Sequence, residues 1–123
     1  MADATEKTLL VIVRHSPYGS SLARSGLDTA LAVAAFGQPV ALLFLGDGVL
    51  QLLPAQDSKT IGRRNIGKLL ASLPLYDIES VFVDAESAHR YRIDPDASPV
   101  PTTLLDTHGI RSLIERCLPI LGY

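Results

Sequence analysis

With 123 residues, 11 basic and 13 acidic side chains and a net charge of −2, the chain has the length of one domain and lacks the basic excess that direct nucleic-acid binding requires. Hydrophobic residues make up 47% and charged ones 20%, more apolar surface than a lone small domain conceals, so an oligomer interface is the expected destination for the surplus. One cysteine excludes an internal disulfide, no apolar run nears the ~20 residues of a membrane span, and residues 1–7 hold no apolar signal-peptide core; the expected compartment is the cytoplasm.

Residues 1–7 read as a flexible polar tail and residues 8–123 as the folded domain. Leu9–Val13 is unbroken, apolar and rich in β-branched side chains, the pattern of a strand buried on both faces. A turn-rich loop follows over residues 15–21, with Pro17 and Gly19. Leu27, Ala30, Leu31 and Ala34 then recur at helical spacing, and Gly37 ends that helix. Residues 40–45 repeat the strand signal until Gly46, Asp47 and Gly48 break it. Ile66, Leu69, Leu70 and Leu73 form a second helical stripe, stopped by Pro74; Lys59, Arg63, Arg64 and Lys68 read as its solvated face. Residues 81–83 are a short strand, and residues 94–101, with three prolines, a surface loop. Ile110, Leu113, Ile114 and Cys117 make a third stripe with Asp106 as its N-cap, and residues 119–123 read as an edge strand, where proline is tolerated.

Apolar strands alternating with amphipathic helices predict an α/β fold, a parallel sheet with helices on both faces. Ligands and reactive groups in such sheets sit outside the carboxyl ends of the strands. That singles out residues 15–21, 47–54 and 84–92.

Each candidate chemistry there has a plainer alternative. Cys117 shares an apolar stripe and reads as core filler rather than nucleophile. His15, Ser16 and Asp47 could be imagined as a triad, but no nucleophile elbow is present, and hydrogen bonds from Ser16 and Asp47 to turn backbone are the simpler expectation. His15, His89 and His108 fall on three separate elements, without metal-ligand spacing, so no metal or other cofactor is expected. Phosphate-cradling glycine motifs are missing, although Gly19, Ser20 and Ser21 before a helix leave a flavodoxin-like small-anion or nucleotide binder as an alternative. Asp47, Gly48, Val49, Gln51, Leu52, Leu53 and Pro54 read either as a short helical turn closing the sheet or as an apolar binding surface.

Several short stretches together carry a family resemblance: Asp47-Gly48-Val49, Gln51-Leu52-Leu53-Pro54, Leu75-Tyr76-Asp77-Ile78-Glu79, residues 16–19, Gly26-Leu27-Asp28 and Ile93-Asp94-Pro95. In these the chain resembles the TusC/DsrF subunits of the DsrE-like sulfur-relay family, over almost its whole length. The resemblance implies a DsrE-like sheet of about five strands. It also implies TusB/DsrH-like and TusD/DsrE-like partner subunits in a two-of-each heterohexamer, served by TusA- and TusE-like sulfur carriers. The implied role is persulfide sulfur transfer toward 2-thiolation of the tRNA wobble uridine, or the DsrF role in sulfur oxidation. The family's relay cysteine would fall nearest Val83 and Asp84, where this chain has no thiol, so the resemblance transfers no catalytic residue. Asp47, Gly48, Val49, Gln51, Leu52, Leu53, Tyr76 and Asp77 are the expected partner-facing residues.

Overall fold

The computed structural model describes residues 8–16, 22–53, 61–117 and 119–123. Among the described residues there are five strands: β1 Leu9–Val13, β2 Val40–Phe44, β3 Ser80–Asp84, β4 Thr103–Leu105 and β5 Ile120–Gly122. They form one sheet in the order β4-β3-β2-β1-β5, every neighbouring pair parallel. Four α-helices lie between them among the described residues: α1 Leu22–Ala35, α2 Ile61–Ser72, α3 Ala85–Arg90 and α4 Thr107–Arg116. The fold is the expected α/β arrangement, and β5 is the expected edge strand, pairing β1 through Leu10↔Ile120 and Val11↔Leu121.

Alternation along the strands divides the core into two layers. Leu9, Val11 and Val13, with Val40, Leu42, Phe44, Val81 and Val83, face Leu27 and Ala30 of α1, Leu70 of α2 and Ala88 of α3. Leu10, Ala41, Leu43 and Phe82 face the other way, onto Leu113 and Cys117. Among the described residues, α4 is the only helix that contributes to this second layer.

The helix stops follow from local chemistry. Gly37, at φ 86°, takes the left-handed conformation that a side chain disfavours, just past the end of α1. Pro74 enters the single 3₁₀ turn Leu73–Tyr76 after α2, and Asp77 closes that turn at φ 61°. Ile66, Lys59, Arg63 and Arg64 lie outside the side chains described, as does the expected tail at residues 1–7. At the carboxyl terminus, Tyr123 extends the β5 pairing, donating its N–H to Ile12 and accepting from Arg14 at 2.8 and 2.7 Å. Its ring fills the space a side chain at Gly26 would need (3.1 Å), and its hydroxyl meets Thr29 Oγ1 at 2.8 Å.

Two elements differ from the sequence expectation. The segment 84–92, singled out at the carboxyl ends of the strands with no element assigned to it, carries the helix α3, and β4 lies within a stretch to which no strand was assigned. The surface loop after Ile93 also holds a 3₁₀ turn, Pro95–Ala97, with Val100 buried behind it.

Candidate functional site

The carboxyl ends of β1, β2 and β3 converge where Val13, Phe44 and Asp84 finish their strands. After β2 the chain folds into the 3₁₀ turn Gly46–Leu52, which packs back onto the end of the sheet. Gly48 permits that approach: a Cβ there would stand 2.1 Å from the Val13 carbonyl oxygen, inside any possible contact. Val49 and Leu52 then sit in the first core layer, and Gln51 is also buried. Of the two readings of this segment, the closing turn accounts for Gly48, Val49, Gln51 and Leu52; Asp47 is exposed and Leu53 half-buried.

Polar groups tie this turn to both neighbouring strands. Gln51 donates from Nε2 to the His15 carbonyl at 2.9 Å, fastening the turn to the chain leaving β1. Its Oε1 is buried without a hydrogen-bond partner among the described residues, as is Thr102 Oγ1. On the other side, the Gly46 N–H donates to Ser87 Oγ at 2.9 Å, and Ser87 Oγ donates in turn to Asp84 at 2.6 Å. The Asp84 carboxylate also accepts from the Glu86 and Ser87 N–H groups, both at 3.3 Å, so it caps the first turn of α3. Tyr91, just past α3, donates its hydroxyl to the Asp47 carboxylate. That bond, then burial, then the Asp47 charge raise the Tyr91 pKa, with Arg90 opposing. Asp47 was expected to bond turn backbone; it takes a phenol from 44 residues away instead.

The remaining sequence candidates fall elsewhere or outside the described part. Tyr76 and Asp77 precede β3 and lie at the amino end of the sheet, opposite Asp47 and Leu53, so the two expected partner-facing segments are not one surface. Val83 is buried in the core and Asp84 is half-buried beside it at the strand end. Residues 17–21 and Pro54 lie outside the described residues. Among the described residues no group of three or more His, Cys, Asp and Glu side chains is placed to hold a metal ion.

Cys117 is buried beside Leu113 and leads into β5, at the amino end of the sheet. Burial pushes its thiol pKa up, with Arg116 opposing, and a raised pKa withholds the reactive thiolate. Ser87 and Tyr91 are the connecting residues that sequence reasoning did not single out. Asp84, an N-cap residue type just after a strand, signals the start of a helix at Ala85, while nothing local signals the bonds of Ser87 or Tyr91.

Comparison with known proteins agrees with this architecture. The model of the DsrE/DsrF-like family matches residues 7–119. A protein named TusC homolog from Pseudomonas aeruginosa is 34% identical over 110 residues, 89% of this chain and 92% of that one. A TusC homolog from Vibrio parahaemolyticus is 40% identical over 94% of this chain and 98% of its own, and the TusC protein of Escherichia fergusonii is 36% identical over 85% and 89%. Among solved structures, the ychN protein from E. coli superposes with a TM-score of 0.77, covering 95% of this chain and 99% of that one; at 15% identity this likeness concerns the fold. The chain belongs to the DsrE/DsrF-like family, and to its TusC/DsrF type.

Proposed function

We propose that the chain is a non-catalytic structural subunit of a cytoplasmic sulfur-relay complex, supporting persulfide transfer toward 2-thiolation of the tRNA wobble uridine. The sulfur-carrying thiol belongs to a TusD/DsrE-like partner. A TusB/DsrH-like subunit completes the complex, with two copies of each chain, and TusA- and TusE-like carriers deliver and remove the sulfur. The chain itself uses no cofactor and touches no nucleic acid.

The observation that carries this reading is the state of the third strand's carboxyl end. Where the resemblance implies a relay cysteine, Asp84 stands with its carboxylate committed to α3 and Ser87. A carboxylate there disfavours a second anion such as a hydropersulfide and raises the pKa of a nearby thiol. The chain's one cysteine is buried at the opposite end of the sheet. Asp47 and Leu53, on the rim of the same end, and Tyr76 and Asp77, at the far end, are the partner-facing residues of this reading.

Co-expression with the proteins encoded beside it, followed by native mass measurement, tests the reading. The expected product is a complex holding this chain with TusB- and TusD-like subunits. A chain that stays alone in the presence of both would overturn it.

A further inference from the structure

Both faces of the sheet have a buried centre and open apolar margins: Leu104 and Leu121 are 46% and 38% exposed on the α1–α3 face, and the α4 face has margins of its own. Five strands spaced about 4.8 Å apart span about 20 Å, while a helix with its side chains is about 10–12 Å across. Among the described residues, that one helix covers only part of the sheet on the α4 face. Ile12, Leu45, Leu105 and Ile120 of the sheet side, and Ile110 and Ile114 of α4, are packed against the second layer but stay only partly buried. Along the helix runs a shallow groove of about 480 Å³, lined by Thr107, Ile110, Arg111, Ile114 and Glu115.

The charges on this groove identify what fits it. Arg111 and Glu115 are one helical turn apart and both exposed, and neither is in an ion pair among the described residues, although Arg24–Asp28 and Arg90–Glu86 pair at the same four-residue spacing. A basic and an acidic group set one turn apart beside an apolar strip are complementary to their own arrangement run backwards. A second α4, antiparallel across a twofold axis, places Arg111 opposite the second Glu115 and Glu115 opposite the second Arg111. The Ile110–Ile114 strips then meet between them. An isologous contact demands this self-complementarity.

We infer that the α4 groove is a docking surface for a second copy of this chain, formed by antiparallel contact of the two α4 helices. This surface is separate from the carboxyl-end site and does not depend on the proposed sulfur-relay role. Covering the half-exposed isoleucines drives the contact, and the crossed charge pairs set its direction and register.

Sedimentation of the full chain over a concentration series, with charge-swapped variants, tests this. The wild-type chain should dimerise. Arg111→Glu and Glu115→Arg should each weaken the dimer by about tenfold or more, because each sets like charges face to face. The double variant Arg111→Glu/Glu115→Arg should return to within about threefold of wild type, since the swap restores both crossed pairs. Both side chains are exposed, and unchanged thermal unfolding at low concentration confirms that each variant folds. A chain that remains monomeric, a dimer indifferent to the single swaps, or a double variant without recovery would each overturn the inference. Repeating the swaps in co-expressed complexes separates it from the proposed function. Release of a TusB- or TusD-like subunit, with no change in self-association, assigns the groove to that partner and overturns the inference alone.

Discussion

On the face beneath α1, α2 and α3, Val11, Leu42 and Phe44 have no exposed surface while Leu104 and Leu121 at the two edges are 46% and 38% exposed; on the α4 face Leu10 and Leu43 are as fully buried, and Ile12 and Ile120 remain partly open. The α1–α3 face also receives the Gly46–Leu52 turn, whose Val49 and Leu52 join its core, and the Gly46–Ser87–Asp84 bonds pin that turn to α3. Among the described residues the α4 face has a single helix, with Arg111 and Glu115 outside any ion pair along it. The two faces thus differ in what caps them, three helices and a turn against one helix, and both contribute fully buried side chains to the core.

The largest expected effect separates the buried centre from the helix margin. Phe44→Ala, at the centre of the sheet, should cost about 4 kcal/mol, while Ile114→Ala, half-buried on α4, should cost about 1 kcal/mol in the isolated chain. Urea unfolding of both variants checks this, and equal losses would break the comparison. Next in size, Gly48→Ala should destabilise by about 3 kcal/mol, because the added methyl must displace backbone at Val13 rather than a movable side chain. A variant as stable as wild type would mean that the turn sits elsewhere in solution. Ser87→Ala should cost about 1–2 kcal/mol, leaving the Gly46 N–H without its acceptor and the Asp84 cap short of one donor. Amide hydrogen exchange should then rise at the start of the turn and of α3, and not in α4.

The smallest effect probes the buried thiol at the end of α4. Burial raises the folded-state pKa of Cys117, so the folded thiol keeps its proton at pH values where the unfolded chain has lost it. This contribution to stability is fully present below the unfolded thiol's pKa, about 8.5, and is lost as pH rises through the folded value. Tyr91, also raised by its bond to Asp47, adds an alkaline loss at higher pH. Stability measured between about pH 8 and pH 10 should therefore fall less steeply in Cys117→Ala than in wild type. Identical slopes would place the thiol in water.

The parallel α/β architecture was legible because five-residue buried strands and helices of 10 to 14 residues carry enough residues of one period. Leu9–Val13 coincides with β1, and the Leu27 and Ala30 stripe is the buried face of α1. The strand β4 was not legible: three residues, Thr103–Leu105, are too few to show an alternation, and Pro99 and Pro101 just before them mark a loop. The helix α3 has six residues, under two turns, and rests on its Asp84 cap more than on an apolar stripe. Gly48 and Gln51 stood out as an unusual segment, but whether they closed the sheet or faced outward depended on the Val13 backbone, 35 residues away. The Asp47–Tyr91 bond is a tertiary contact with no local signature.

The central claim is that this chain completes a sulfur-relay assembly without carrying the sulfur. The most direct measurement is transfer of labelled persulfide sulfur through the assembled complex containing Cys117→Ser in place of the wild-type chain, with mass spectrometry of each subunit. The account predicts undiminished transfer and labelled sulfur on a partner's cysteine, with none on this chain in the wild-type complex. Loss of transfer in Cys117→Ser, together with a persulfide on wild-type Cys117, would contradict it.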